Sequence, residues 1–314
     1  MNVYKNIAEL VGNTPIVKLS RVTTGLKSDI YAKLEFFNPS NSVKDRAALN
    51  MIVEGEKSNL INKDTTIIEA TSGNTGIALA TICAARGYKL ILVIPDTMSI
   101  DKIHHIEALG AKVVLTPGLL GMKKAFSTAD ELMNEYENSF QPRQINNPAN
   151  PGIHMNTTAV EIWEDMEGNI DFFVAASGTG GTVCGTGKKL KELSNNKISV
   201  VAVEPAGSPV LSGGTRGPHK IQGVGPGFIP ATTDVSLFDR IICVEDDDAL
   251  TMARRLARTE GIFAGISSGA AVTAAIKIAQ EVENKNIVVI IPDTGERYLN
   301  TELYDEKFKD VFVS

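Results

Sequence analysis

The chain has 314 residues, 43% apolar and 22% charged, a balance that fits a globular protein with room for two domains. Its formal charge of −6 and scattered lysines and arginines argue against nucleic acid or an anionic membrane as the main partner. No apolar run reaches the ~18–20 residues that span a bilayer, no signal-peptide core is present, and Cys83, Cys184 and Cys243 are too widely spaced for a disulfide framework or zinc site, so a reducing, cytoplasmic setting is expected. The opening residues read as a short lead helix, the turn Gly12-Asn13-Thr14-Pro15, and strands over 16–19 and 30–34. Strand 65–70, helix 76–86, strand 89–94, helix 100–109, strand 112–115 and helix 122–137 follow in alternation. Residues 144–152, with two prolines and four Asn or Gln, read as a loop that crosses between domains.

A second alternating half comes next: helix 156–167, strand 172–176, helix 181–193 and strand 198–203. A glycine- and proline-rich loop over 207–228 is long enough to be functional or mobile. Strand 240–244, helices 246–261 and 268–283, and strand 286–291 complete the pattern. Alternation of this kind predicts the α/β class, with two doubly wound open sheets carrying helices on both faces. The expected division is a smaller domain over 37–148 and a larger one made of 1–36 and 149–314.

One segment, Asn38-Pro39-Ser40-Asn41-Ser42-Val43-Lys44-Asp45-Arg46, lies between a strand and a helix. Asn38-Pro39 marks a turn, and Ser42 is placed to cap the helix. Lys44 then falls in the first helical turn, where the positive end of the helix dipole disfavours an ammonium. A partly neutral lysine is a nucleophile or Schiff-base former. The same spacing, taken alone, also describes a solvated surface lysine.

Thr71-Ser72-Gly73-Asn74-Thr75-Gly76 joins a strand directly to a helix. Its glycines permit close backbone approach, and the helix start offers free N–H groups, so it can hold a phosphate or carboxylate. Ser177-Gly178-Thr179-Gly180-Gly181-Thr182 repeats the geometry with higher glycine density and is the stronger phosphate candidate. It fails as a Walker A loop and as a dinucleotide fingerprint. Glu204, at the end of the next strand, imitates the ribose-binding acid, so dinucleotide binding stays as a weaker alternative. Ile266-Ser267-Ser268-Gly269-Ala270 is a third small-residue turn, where a serine can face a ring nitrogen or cap a helix. His104, His105, His154 and His219 have no partner at metal-ligand spacing, and no metal site is expected. Two anion cradles and a lysine can serve one ligand that offers a phosphate, a carboxylate and a carbonyl carbon. Pyridoxal 5'-phosphate loaded with an amino acid meets that description.

These motifs, in this order, resemble the cysteine synthase (O-acetylserine sulfhydrylase) group of fold type II pyridoxal-phosphate enzymes, whose fold is tryptophan synthase β-like. The matching stretches are LVGNTP (10–15), NPSNSVKDR (38–46), TSGNTG (71–76), NPANP (147–151), SGTGGT (177–182), IQGVGPGF (221–228), GISSGA (265–270) and PDTGERYL (292–299). The resemblance implies that Lys44 anchors the cofactor and carries the substrate α-proton. It places Asn74 at the ring 3-oxygen and the substrate, Gly178, Thr179, Gly180, Gly181 and Thr182 around the phosphate, and Ser268 at the pyridine nitrogen. Thr71, Ser72, Thr75 and Gln144 would bind the substrate carboxylate, and Gly225 would lie near the substrate side chain. The implied reaction is a β-replacement giving L-cysteine and acetate from O-acetyl-L-serine and sulfide through an aminoacrylate. Related chemistry on cysteine or serine is the alternative: cystathionine or lanthionine synthesis, or sulfide-releasing lysis. A non-catalytic binding protein on the same fold is the alternative from another class. The resemblance further implies a homodimer and docking of the C-terminal tail of serine acetyltransferase. Two departures stand out: Asp101-Lys102-Ile103-His104-His105 replaces a common Glu-Arg-Arg run, and Pro226 stands where alanine is frequent.

Overall fold

The computed structural model describes residues 3–71 and 73–304. Two sheets organise the chain. Strands β3 (Thr66–Ala70), β4 (Lys89–Pro95), β5 (Lys112–Thr116) and β6 (Ser139–Phe140) form one, in the order β5-β4-β3-β6 and all parallel. The other has six strands: β1 (Ile16–Lys18), β2 (Asp29–Leu34), β7 (Phe172–Ala176), β8 (Ser199–Pro205), β9 (Arg240–Val244) and β10 (Asn286–Ile291). Their order is β1-β2-β10-β7-β8-β9, parallel except for β1, which runs against β2. Every residue of β3 is buried, as expected of a strand covered on both faces, and its Thr-Ile-Ile-Glu-Ala sequence accordingly shows no clean alternation.

Each sheet reverses direction beside one strand. From β3 the chain passes through α2 (Asn74–Arg86), β4, α3 (Ile100–Ala108), β5 and α4 (Gly121–Glu135), then returns to the other side of β3 as β6. From β7 it passes through α7 (Gly181–Leu193), β8, β9, α8 (Asp246–Arg255) and α9 (Ile266–Glu281), then returns beside β7 as β10. Ligands of open α/β sheets bind at the carboxyl ends of strands at such reversals. The loops leaving β3, β6, β7 and β10 begin at Thr71, Gln141, Ser177 and Pro292, so the topology alone gathers the sequence motifs at these positions.

The predicted elements differ from the structure in instructive places. The lead helix is a single 3-10 turn, Ile7–Leu10. Helix α1 (Lys44–Lys57) starts at the lysine itself, and the N-cap position is Val43. Ser42 still contributes, its Oγ accepting the Lys44 N–H at 3.3 Å. Helix α5 (Ala149–Ile153) begins inside the expected crossing loop and continues through a wide turn, His154–Thr158, into α6 (Ala159–Asp165). Pro148 takes its N-cap and Pro151 lies within its first turn, where a missing N–H costs nothing. Strand β6 has only two residues, too few to leave a periodic signal. Among the described residues no helix is long and apolar enough to cross a membrane.

A buried charge cluster fixes the start of α1. Arg46 donates to both oxygens of Glu35 (2.7 and 2.8 Å) and both of Glu161 (2.6 and 2.7 Å). Lys33 meets Glu161 at 3.0 Å and donates to the Thr14 carbonyl at 2.6 Å. Thr14 Oγ1 and Asn38 Nδ2 complete the shell of Glu35 at 2.7 and 2.9 Å. Burial pushes the Glu35 carboxyl up, and the Arg46 guanidinium overrides it, leaving it below its ordinary value. Glu161 is likewise penalised by burial but is held down to about 2 by Arg46 and Lys33. The cluster therefore bolts α1 to β2 and α6 two residues beyond Lys44.

Candidate active site

A cavity of about 310 Å³ opens where the strand ends of the two sheets face each other. Lys44, Thr71, Asn74, Thr75, Gln144, Gly178, Thr179, Gly180 and Thr182 all line it. The sequence segments singled out above thus meet at one place. Three expected residues stand behind the wall. Gly181 opens α7, and Ser268 is fully buried, its Oγ without a hydrogen-bond partner among the described residues. The serine that lines the cavity is its neighbour, Ser267. Gly225 donates its N–H to the Ser177 carbonyl at 3.1 Å and accepts from His219 Nε2 at 3.0 Å, while Val224 and Pro226 line the cavity. Ser72 lies outside the described residues.

Lys44 is exposed only in part and opens on the cavity. Its protein surroundings strip the ammonium of water and lower its pKa; Asp293 opposes this and Arg297 adds to it. The turn before it is tightly built. Asp45 accepts from the Ser40 N–H at 2.5 Å and from the Ser40 hydroxyl. The Val43 N–H reaches the Pro292 carbonyl at 2.8 Å, and the Arg297 guanidinium donates to the Ser40 carbonyl. The lysine is therefore held from both of its chain neighbours and from the segment after β10.

The phosphate candidate is shaped by what packs behind it. A Cβ on Gly178 would lie 2.3 Å from the Gly223 carbonyl oxygen, and one on Gly181 would lie 2.0 Å from Asn150 Oδ1. Gly180 has a φ of +79° and backs onto Thr233. Glycine is required at these positions by close approach as well as by backbone conformation. Thr182 Oγ1 contacts His154 Nε2 at 3.2 Å. Burial, with Arg46 adding to it, pushes the His154 imidazole down to about 3, so a neutral ring supports the loop.

The carboxylate candidate rests on a buried acid that sequence reasoning passed over. Thr75 Oγ1 donates to Gln144 Oε1 at 2.6 Å. Beneath them Glu69, in the middle of β3, accepts the N–H groups of Arg143 (2.8 Å) and Gln144 (3.3 Å). Burial raises the Glu69 carboxyl to about 7, against the lowering effect of those two N–H groups and the Arg143 charge. Because this native value exceeds the unfolded one of 4.5, the native state keeps a proton that the unfolded chain has lost between the two. Stability from this group is fully present below pH 4.5 and is lost as pH rises through about 7. Relative to Glu69→Gln, the wild type should lose up to ~3 kcal/mol between pH 5 and 7.5 in urea unfolding. Parallel pH profiles for the two proteins would contradict this.

Other site residues were missed. Asp293 lines the cavity and accepts from Asn74 Nδ2 and from the Tyr298 hydroxyl, each at 2.6 Å. Arg297 donates to Asn74 Oδ1. A carboxylate can only accept and a guanidinium can only donate, so the pair fixes which end of the Asn74 amide faces which partner. The Asn74 amide has a second N–H beside the one it gives to Asp293, and the Tyr298 hydroxyl lies close to it. The only prior signal was the PDTGERYL stretch, whose residue types specify no chemistry on their own. Glu204, the dinucleotide imitator, is occupied instead with its own chain. It accepts from the Leu211 N–H (2.7 Å), the Ser212 N–H (2.9 Å) and the Ser212 hydroxyl (2.5 Å), pinning the long loop. Cys83 and Cys184 are buried, and burial raises their thiols to about 12 and 11, as for core residues. Among the described residues no cluster of His, Cys, Asp or Glu could hold a metal ion.

Comparison with known proteins gives the family and the fold. The profile of a family described as pyridoxal-phosphate dependent enzyme matches residues 7–293. A cysteine synthase of Staphylococcus aureus (strain Mu50 / ATCC 700699) is 51% identical over 301 residues, covering 95% of this chain and 96% of the relative. The crystal structure of a cysteine synthase (OASS) from Entamoeba histolytica superposes with a TM-score of 0.95 at 43% identity, covering 99% of this chain and 93% of that one. A hydrogen sulfide-producing enzyme from Fusobacterium nucleatum gives a TM-score of 0.92 at 49% identity, covering 95% and 99%. With the family profile spanning nearly the whole chain and its motifs gathered on one cavity, the protein belongs to the pyridoxal-phosphate-dependent enzymes.

Proposed function

We propose that the chain makes L-cysteine and acetate from O-acetyl-L-serine and sulfide, with pyridoxal 5'-phosphate in the cavity described above. The observation that carries this reading is the meeting of Lys44, a glycine-built anion cradle and a hydroxyl-and-amide carboxylate site on one cavity. The relatives named cysteine synthase support the same reaction.

The residues present fit the cofactor. Gly178, Gly180 and Gly181 leave no side chain in the turn that opens the 13-residue helix α7, and Thr179 and Thr182 add hydroxyls, as a phosphate requires. Ser267, at the start of α9, faces the same cavity and makes no hydrogen bond to the described residues through its hydroxyl, so we assign it to the ring nitrogen in place of Ser268. The second Asn74 N–H would turn to the ring 3-oxygen. When bound, the cofactor supplies the carbonyl that joins an amine and the electron sink for breaking the substrate Cα–H bond.

The chain's own groups do the rest. Lys44 is desolvated, sheds its proton more readily than a surface lysine, and is the base that takes and returns the α-proton. Thr71, Ser72, Thr75 and Gln144 hold the carboxylate and so fix the Cα–H bond relative to Lys44. A neutral serine at the ring nitrogen cannot protonate it as an aspartate would, which favours prompt departure of the β-substituent. Val224 and Pro226, from the glycine-rich segment, wall the cavity on the side where leaving group and nucleophile exchange. The same reading takes the protein as a cytoplasmic homodimer with a smaller domain over 37–148, and takes the C-terminal tail of serine acetyltransferase as a partner.

Product analysis with purified holoprotein tests the reaction. Cysteine and acetate are expected from O-acetylserine with sulfide, and little turnover of serine or cysteine. Release of sulfide from cysteine, with O-acetylserine inert, would replace this reading with β-elimination.

A further inference from the structure

The phosphate and carboxylate sites are joined through side chains that belong to neither. Asn150, the inner asparagine of the NPANP stretch, is 2% exposed and lies in the first turn of α5. Its Nδ2 donates to the Gln144 carbonyl at 2.8 Å and to Thr179 Oγ1 at 2.9 Å, which uses both protons of the amide. Its Oδ1 occupies the space that a Cβ on Gly181 would need, at 2.0 Å. The absence of a side chain at Gly181 therefore lets Asn150 reach between the two sites. The turn carrying Asn150 is itself anchored: Asn147 Oδ1 accepts the Ala149 N–H at 2.9 Å, and Asn50 Nδ2 donates to the Ala149 carbonyl at 2.7 Å.

Thr232 makes a parallel link. Its N–H donates to the Ile145 carbonyl at 3.3 Å, and its hydroxyl donates to the Thr179 carbonyl at 2.6 Å. On the far side, Gln144 is gripped by Thr75 through its Oε1 and by Glu69 through its N–H. Gln144 Nε2 is left without a protein partner among the described residues, as a carboxylate donor requires. A continuous, largely buried hydrogen-bonded path thus runs from Glu69 and Thr75 through Gln144 and Asn150 to Thr179. In such a setting each bond strengthens its neighbours, and an interrupted path leaves buried polar groups unpaired.

We propose that Asn150 is a positioning residue that couples the two sites. A phosphate held at Thr179 fixes Gln144 for the substrate carboxylate, and a bound carboxylate tightens the hold on the phosphate by the same factor. The inference rests on the reading that the 177–182 turn takes the cofactor phosphate and Gln144 the substrate carboxylate. It adds a mutual dependence between them, routed through a residue that touches neither ligand.

The test uses holoprotein and two readouts. The first is the rate of cofactor loss to a scavenger of free pyridoxal phosphate, with and without propionate, a carboxylate probe that lacks an amine. Propionate should slow the loss about 5-fold or more in the wild type and less than about twofold in Asn150→Ala, where only the Thr232 link remains. The second is KM for O-acetylserine. Thr179→Val, made at the phosphate site, should raise KM roughly 5–10-fold in the wild type and less than about twofold in the Asn150→Ala background. Equal propionate effects in both proteins, or equal effects of Thr179→Val in both backgrounds, would overturn the coupling. Asn50→Ala is the structural control: it loosens α5 without cutting the path and should keep both couplings. If Asn150→Ala does not fold, Thr232→Val cuts the parallel link and should weaken the propionate effect; an undiminished effect there would count against the path. Cofactor loss needs no turnover, so a wrong substrate leaves that arm intact, whereas a purified protein that retains no cofactor would overturn the reading of the site and the coupling with it.

Discussion

Lys44→Ala is expected to lower kcat/KM for cysteine formation by roughly 10⁴-fold or more, because it removes both the amine that anchors the cofactor and the base for the α-proton. The visible absorption of the holoprotein should change or vanish with it. Lys44→Arg should be equally inactive, since a guanidinium does not lose its proton in a protein. Neither change should cost much stability. The side chain opens on the cavity and makes no ion pair among the described residues, and its desolvated ammonium is itself unfavourable. Activity within about tenfold of the wild type in Lys44→Ala would remove the lysine from the mechanism.

The second large effect lies two residues further along α1. Arg46 and Glu35 are both buried, and Arg46→Met leaves Glu35 without its counter-charge and Glu161 with Lys33 alone. Breaking a buried pair from one side costs about 3–5 kcal/mol, which urea unfolding at pH 7 would read directly. Replacing both partners, Glu35→Gln with Arg46→Met, should recover part of that loss, because the uncompensated charge is then gone. The cluster also sets an acid limit. Glu161 titrates at about 2 when folded against 4.5 when unfolded, so its contribution is present above pH 4.5 and lost as pH falls toward 2. A change in unfolding free energy below about 1 kcal/mol for Arg46→Met would mean that water or rearrangement satisfies Glu35.

The sequence carries the alternation of strands and helices, and with it the α/β class, because buried parallel strands and amphipathic helices leave runs that survive without context. It also carries the three small-residue turns, since glycine density in a strand-to-helix junction has few other uses. What it does not carry is long-range. Asp293 and Arg297 clamp Asn74 from more than 200 positions away, and nothing near either end announces the contact. Glu69 reads as one polar residue in an apolar strand, yet it supports Gln144 through backbone N–H groups, which have no sequence signature. The choice between Ser267 and Ser268 depends on a rotation of about 100° around the start of α9. Dipeptides of identical residues give no means of deciding it. The stretch that forms α5 reads as loop because two prolines and three asparagines are turn residues in most settings. Here one proline takes the N-cap, the other lies within the first turn, and the inner asparagine is buried between two sites.

Borohydride reduction of the holoprotein followed by peptide mapping examines the role of Lys44 itself, because it ties a carbonyl-bearing cofactor to the amine that holds it. One pyridoxyl phosphate per chain is expected, on the peptide containing Lys44. Label on another cavity lysine such as Lys102, or none at all, would contradict it.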